Sequence, residues 1–147
     1  MSFLKNIEKR RTIYAIGKNV ELANADIEKT IQQAVRLSPS SFNSQSSRVV
    51  TLFGQSHDKF WDIVLETLRK IVPAAAFEGT SGKIASFKAG HATVLFYEDQ
   101  DVVKSLQEQF ALYADNFPVW SEHSTAIAQF AVWTALAEHN IGASLQH

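Results

Sequence analysis

The chain has 147 residues, the length of one domain with a sizeable core. It is 46% hydrophobic and 20% charged, with a formal net charge of −1. This excludes a disordered chain and gives no electrostatic basis for a nucleic-acid or anionic-membrane partner. There is no cysteine, so disulfides, thiolate catalysis and cysteine metal sites are excluded together.

The start, "MSFLKNIEKRR", has no apolar core of signal-peptide length, and no apolar run approaches the roughly 18 residues that span a bilayer. A soluble, cytoplasmic protein is expected. The segment "NADIEKTIQQAVRLSP" predicts a helix with Asn24 or Asp26 as N-cap, an apolar face of Ile27, Ile31, Ala34 and Val35, and a stop at Pro39. "SRVVTLFG", closed by Gly54, predicts a buried strand. "SHDKFWDIVLETLRKIVP" predicts a second helix, capped by Ser56, with Phe60, Val64, Leu68 and Ile71 on one face and Pro73 as its end.

The next stretch, "AAAFEGTSGKIASFKAGH", carries Gly79, Gly82 and Gly90 and reads as an irregular crossing. "ATVLFYED" predicts a second strand, and Val102, Leu106, Phe110 and Tyr113 recur at helical spacing after it. "SEHSTAIAQFAVWTALAEHNIG" predicts a long helix, apolar around much of its circumference and therefore central, with Gly142 as its C-cap. "ASLQH" reads as the start of a third strand. Helices with a few separated strands define an α+β class, with too few strands for a doubly wound sheet.

Most candidate sites have an ordinary explanation. His57, His91, His123, His139 and His147 show no HExxH or closely spaced pair, so capping or surface roles are expected and no metal site is assigned. Glu98, Asp99 and Asp101 sit where a strand gives way to a helix, the usual place for caps and turns. No GxGxxG, Walker A or GxSxG element occurs. Phe130 and Trp133, at helical spacing, read as core; Phe117 and Trp120 flank Pro118 and divide evenly between core and pocket.

Two stretches remain. "KRRT" gathers Arg10, Arg11 and Thr12, two guanidiniums and a hydroxyl suited to forked bonding of a phosphate. "SPSSFNSQSSR" adds short donors and acceptors suited to polyol hydroxyls and a heterocycle edge. Each alone reads as a basic turn or a helix-stop loop. Together they describe a phosphate held at one end and a polyol or ring at the other, as in flavin mononucleotide (FMN).

With "RRTIYAIGKN", "AVRLSPSSFNSQSSRVVTLFG", "FKAGHATVLFYED" and "IGASLQH" in this order, the whole chain resembles the nitroreductase family of FMN-dependent oxidoreductases. The similarity is greatest to a subgroup of small nitroreductase-like proteins of bacteria and yeast. The resemblance implies a single α+β domain over residues 1–147, with a central, mostly antiparallel sheet flanked by helices, and a homodimer with two shared FMN sites. It implies that Arg10, Arg11 and Thr12 contact the FMN phosphate and ribityl chain. Pro39, Ser40, Ser41, Phe42, Asn43 and Gln45 would reach the flavin of the other subunit, and Lys83 its pyrimidine side. Family members continue beyond the position of "SLQH" with a strand and extension that embrace the partner and place a backbone donor near flavin N5. The chain therefore reads as C-terminally truncated, with Gln146 and His147 near that region.

The implied activity is ping-pong hydride transfer through flavin N5, from NADH or NADPH to nitroaromatics or quinones, with the chemistry carried by the flavin and no catalytic side chain. Two readings of other classes stand beside it. One is a flavin- or haem-binding regulatory or stress-response protein with little turnover, the other a helical interaction domain.

Overall fold

The computed structural model describes residues 2–146. In chain order it comprises α1 (Phe3–Lys9), α2 (Asn24–Leu37), a 3-10 turn at Ser41–Asn43, β1 (Ser47–Phe53), α3 (Gly54–Arg69), α4 (Ala74–Lys88), β2 (Ala92–Glu98), α5 (Gln100–Gln109), a 3-10 stretch at Ala111–Asn116 and α6 (Phe117–Glu138). The two strands pair antiparallel, with Val49 opposite Phe96 and Val50 opposite Leu95. A two-stranded ribbon is marginal alone in water, so it depends on what covers it.

Alternation along the strands decides that cover. Val49, Phe53, Val94 and Phe96 point to one side and pack against a core of Ile27 and Ile31 from α2 and Val132 and Leu136 from α6. Thr93 lies on the other side, where the Trp61 indole donates to its hydroxyl at 2.9 Å. His57 Nδ1 meets the same hydroxyl at 2.8 Å, and His57 Nε2 meets the Lys88 carbonyl at 3.0 Å. A carbonyl only accepts, so Nε2 carries the proton and Nδ1 accepts from Thr93. His57 is thus neither cap nor surface residue: it is 1% exposed and joins α3, α4 and β2. The ribbon is the middle of three layers, and full burial of Ile31 alone contributes about 1.5–3 kcal/mol.

Several expected details change. The glycine-bearing stretch is no irregular crossing; it is the regular helix α4. Gly79 and Gly82 face open space, so their cost of about 1 kcal/mol each is offset by packing elsewhere on the helix. Ile84 is buried, Phe87 lies 5.2 Å from Trp61, and Phe77 lies 4.4 Å under the Arg69 guanidinium. α3 begins at Gly54, whose φ of 52° makes the abrupt strand-to-helix turn that a β-carbon would strain; Ser56 therefore lies inside the helix and caps nothing. Ile71 lies beyond α3 and is exposed. The N-cap of α2 is Ala23, one residue before the first expected cap, and Asn24 is already the first residue of the helix. Asn24 instead accepts from His91 Nε2 at 2.7 Å.

Helical spacing after β2 does not continue to Tyr113. Phe110 leaves the helical region at φ −123°, ψ 63°, and a 3-10 stretch leads to Pro118 in the first turn of α6. At the far end of α6 the stop is Asn140 at φ 60°, not Gly142. Ile141 N–H donates to the Leu136 carbonyl at 3.0 Å and Asn140 N–H to the Ala137 carbonyl at 3.1 Å, which is the Schellman pattern. Gly142 answers a different need, because a β-carbon there would stand 2.9 Å from Ile13 Cγ1. The expected third strand is a single parallel bridge between Thr12 and Ala143. No helix among the described residues is long and apolar enough to cross a membrane.

Candidate functional site

The two sequence motifs fold onto opposite sides of α6. Ser41 N–H donates to Ser124 Oγ at 3.2 Å, while the Arg10 guanidinium lies 4.4 Å over the Trp133 ring and 5.9 Å from Phe130. Ser124 and Trp133 are nine residues apart, which at 100° per residue is roughly half a turn around the helix and about 13.5 Å along it. α6 stands between the serine loop and the arginine arm of its own chain.

On the arm side, Arg10 follows the last residue of α1 and its N–H closes that helix on the Asn6 carbonyl at 2.9 Å. Lys9 Nζ donates to Asn140 Oδ1, and Ile13 N–H donates to the Ala143 carbonyl at 3.0 Å. The arm is therefore pinned to the end of α6. A cavity of about 440 Å³ opens beside it, lined by Thr12, Lys83, Tyr14, Ser86 and Trp133, with Phe87, Leu145 and Gln146 completing the wall. Thr12 and Lys83 thus meet in one cavity, as does Gln146; His147 lies outside the described residues. Arg11 is exposed and does not line the cavity.

A guanidinium stacked on a ring is held by its face, which leaves its edge donors available. Arg10 Nε is buried and has no hydrogen-bond partner among the described residues. Arg10 does not itself line the cavity; the lysine and hydroxyls on the wall are groups that could meet an anion such as a phosphate. Trp133 and Phe130 are not core as expected: Trp133 lines the cavity and Phe130 is exposed. An aromatic inside an apolar helix carries no local signal that separates these roles.

The loop side is built differently. Phe42, Asn43 and Gln45 take φ values of 56°, 51° and 50°. Non-glycine residues there cost of order 1–3 kcal/mol each, least for asparagine, and persist only where the surroundings impose them. Here they do. Gln45 N–H donates to Ser40 Oγ at 3.0 Å, and Gln45 Nε2 donates to Asn43 Oδ1 at 3.1 Å. The Phe42 ring packs against Phe110, Phe117 and Tyr113 and stacks on Trp120 at 5.7 Å and 16°. Phe117 and Trp120 therefore act as the loop's anchor. Ser46, fully buried, and Ser47 both donate to the Glu98 carboxylate. A second cavity, about 330 Å³, is lined by Pro39, Ser40, Gln45, Ser47, Ser124 and Arg36, with apolar neighbours from α2 and α6.

Glu98, Asp99 and Asp101 keep the ordinary roles expected of them. Asp99 caps α5 by accepting from Asp101 N–H at 3.1 Å, and Glu98 holds the two serines.

This α+β chain therefore holds an unpaired arginine donor on one side of its central helix and a strained polar loop on the other. Residues 7–147 match the model of the Nitroreductase family, and the chain belongs to that family of oxidoreductases. Two proteins of Saccharomyces cerevisiae, HBN1 and the nitroreductase FRM2, are 34% and 30% identical over 99% of this chain and 74% of each of theirs. The nitroreductase CinD of Lactococcus lactis, solved in complex with nicotinic acid, superposes with a TM-score of 0.89 at 54% identity, covering 99% of this chain and 74% of CinD. A Desulfovibrio desulfuricans protein solved with FMN shares the fold at 15% identity and a TM-score of 0.67, covering 97% of this chain and 66% of that one.

Proposed function

We propose that residues 1–147 form one nitroreductase-like domain that binds FMN in a homodimer and reduces nitroaromatics or quinones. The observation that carries this reading is the placement of the two motifs on opposite sides of α6, so that each chain offers an arm to one ligand and a loop to another. CinD has been solved in complex with 4-nitrophenol as well as nicotinic acid, which supports aromatic substrates of this size and polarity.

Arg10, Arg11 and Thr12 hold the phosphate end, with the Arg10 guanidinium fixed on Trp133 so that its charge stands beside the cavity. Lys83 puts a positive charge on the cavity wall. Pro39, Ser40, Ser41, Phe42, Asn43 and Gln45 of the second copy present amide and hydroxyl donors in a conformation already fixed before binding, so little reorganisation accompanies it. The chemistry that FMN supplies when bound is ping-pong electron transfer from NADH or NADPH to the acceptor. The dimer is favoured by an exposed apolar stripe on α6 formed by Val119, Ala126, Ile127 and Phe130.

Mixing tests the shared site directly. Arg10→Ala and Asn43→Ala proteins, each impaired alone, recover about a quarter of wild-type NADPH oxidation when mixed and allowed to exchange subunits, because half the dimers carry one intact site. No recovery despite exchange overturns the shared arrangement. A flavin-containing wild-type protein that NADH and NADPH fail to bleach under anaerobic conditions points to a regulatory flavoprotein. A colourless protein whose melting temperature FMN does not raise overturns the flavin reading.

A further inference from the structure

Arg48, on β1, reaches back to the serine loop. Its Nη1 donates to the Gln45 carbonyl at 2.8 Å and to the Ser47 carbonyl at 3.2 Å, and its Nη2 donates to Asp99 Oδ2 at 2.9 Å. The other oxygen of Asp99 caps α5, and Asp99 N–H donates to the Ser46 carbonyl at 2.9 Å. One guanidinium therefore ties the loop to the junction of β2 and α5.

Gln45 is a consequential place to hold. It sits at φ 50°, its N–H is bound to Ser40 Oγ, and its side chain is bound to Asn43 Oδ1. Fixing its carbonyl fixes the peptide plane between Gln45 and Ser46 and steadies the Gln45 backbone, and the Gln45 Nε2 bond to Asn43 Oδ1 carries that restraint to Asn43. The ion pair itself is open to water, with the Arg48 and Asp99 side chains 40% and 31% exposed. Pairs this exposed contribute little to stability. What remains is geometry: a rigid fork that joins a carbonyl and a carboxylate in fixed relation, which a lysine cannot reproduce.

We propose that Arg48, supported by Asp99, is a positioning residue that holds Gln45 and Asn43 in the conformation in which the loop meets its ligand. The ligand's identity as FMN rests on the reading above. No chemistry is assigned to Arg48 itself; it acts through the loop.

The test pairs a measurement without ligand with one that uses FMN. In the ligand-free protein, Arg48→Met speeds amide hydrogen exchange across residues 40–46, while the melting temperature and exchange in α2 and α6 stay at wild-type values. The same variant weakens FMN binding about tenfold, read by flavin fluorescence. Arg48→Lys recovers only part of that loss. Asp99→Asn keeps a residue able to cap α5 and weakens FMN binding about twofold. Loop exchange and FMN affinity both unchanged in Arg48→Met overturn the proposal. So does full rescue by lysine, because a point charge would then suffice. Faster loop exchange in a protein whose wild type binds no FMN supports the clamp and overturns the flavin reading instead.

Discussion

The two sides of α6 differ in how their polar groups are satisfied. On the loop side, short side chains satisfy one another: Ser40, Asn43 and Gln45 form a closed set of hydrogen bonds, and Phe42 is wedged among four aromatic rings. On the arm side, a long cation is stacked on Trp133 with a buried donor left over. The loop has its strain and its hydrogen bonds in place beforehand, so it offers shape. The arm keeps an electrostatic demand unmet among the described residues, which on the proposed reading is its source of affinity. The ligand proposed above has a charged end and a flat polar end and would need both, which is why neither motif alone points to it.

The difference sets out a graded series of perturbations. Arg10→Ala removes the unmet demand and is expected to weaken FMN binding about 100-fold with little loss of stability, read by fluorescence titration beside a thermal melt. Asn43→Gly retains the left-handed backbone and deletes the side chain; it is expected to weaken FMN binding about tenfold. Affinity unchanged in that variant would mean that the loop works through its backbone alone. Phe42→Ala leaves the φ strain and removes the ring that holds it, so urea unfolding should show a loss of about 1 kcal/mol together with weaker FMN binding. Trp133→Phe keeps a ring under Arg10 but a poorer one for a cation, with an expected loss of about threefold in FMN affinity and none in stability.

The sequence revealed what punctuation and period could mark. α2, both strands and α6 follow from Ile27 and Ile31 at helical spacing, from two short apolar runs, the first ended by Gly54 and the second by Glu98 and Asp99, and from a long apolar segment. α4 is hidden in the sequence because Gly79 and Gly82 read as breakers, while the packing that overrides them, Phe87 against Trp61 of α3, joins residues 26 positions apart. Asn140 was passed over for Gly142 because left-handed closure by asparagine has no motif of its own. At the site, the serine loop and Arg10 to Thr12 were legible as polar clusters. Trp133 and Arg48 were not: each occupies an ordinary position in a regular element, and only tertiary proximity gives it a role.

The end of α6 has a consequence for the order in which the molecule is made. Lys9 meets Asn140, and Thr12 bridges Ala143, so the arm is placed by residues 131 positions later in the chain. The bonds inside the serine loop span only two to five residues. Long-range closure is slow and local closure fast. During synthesis the hydrogen bonds within the loop can close early, whereas its contacts with Phe117, Trp120 and Ser124, and those of the arm with Asn140 and Ala143, wait for α6 and the residues after it. The arm therefore takes its place only once the end of α6 has formed, so order at one end of the chain reports closure at the other.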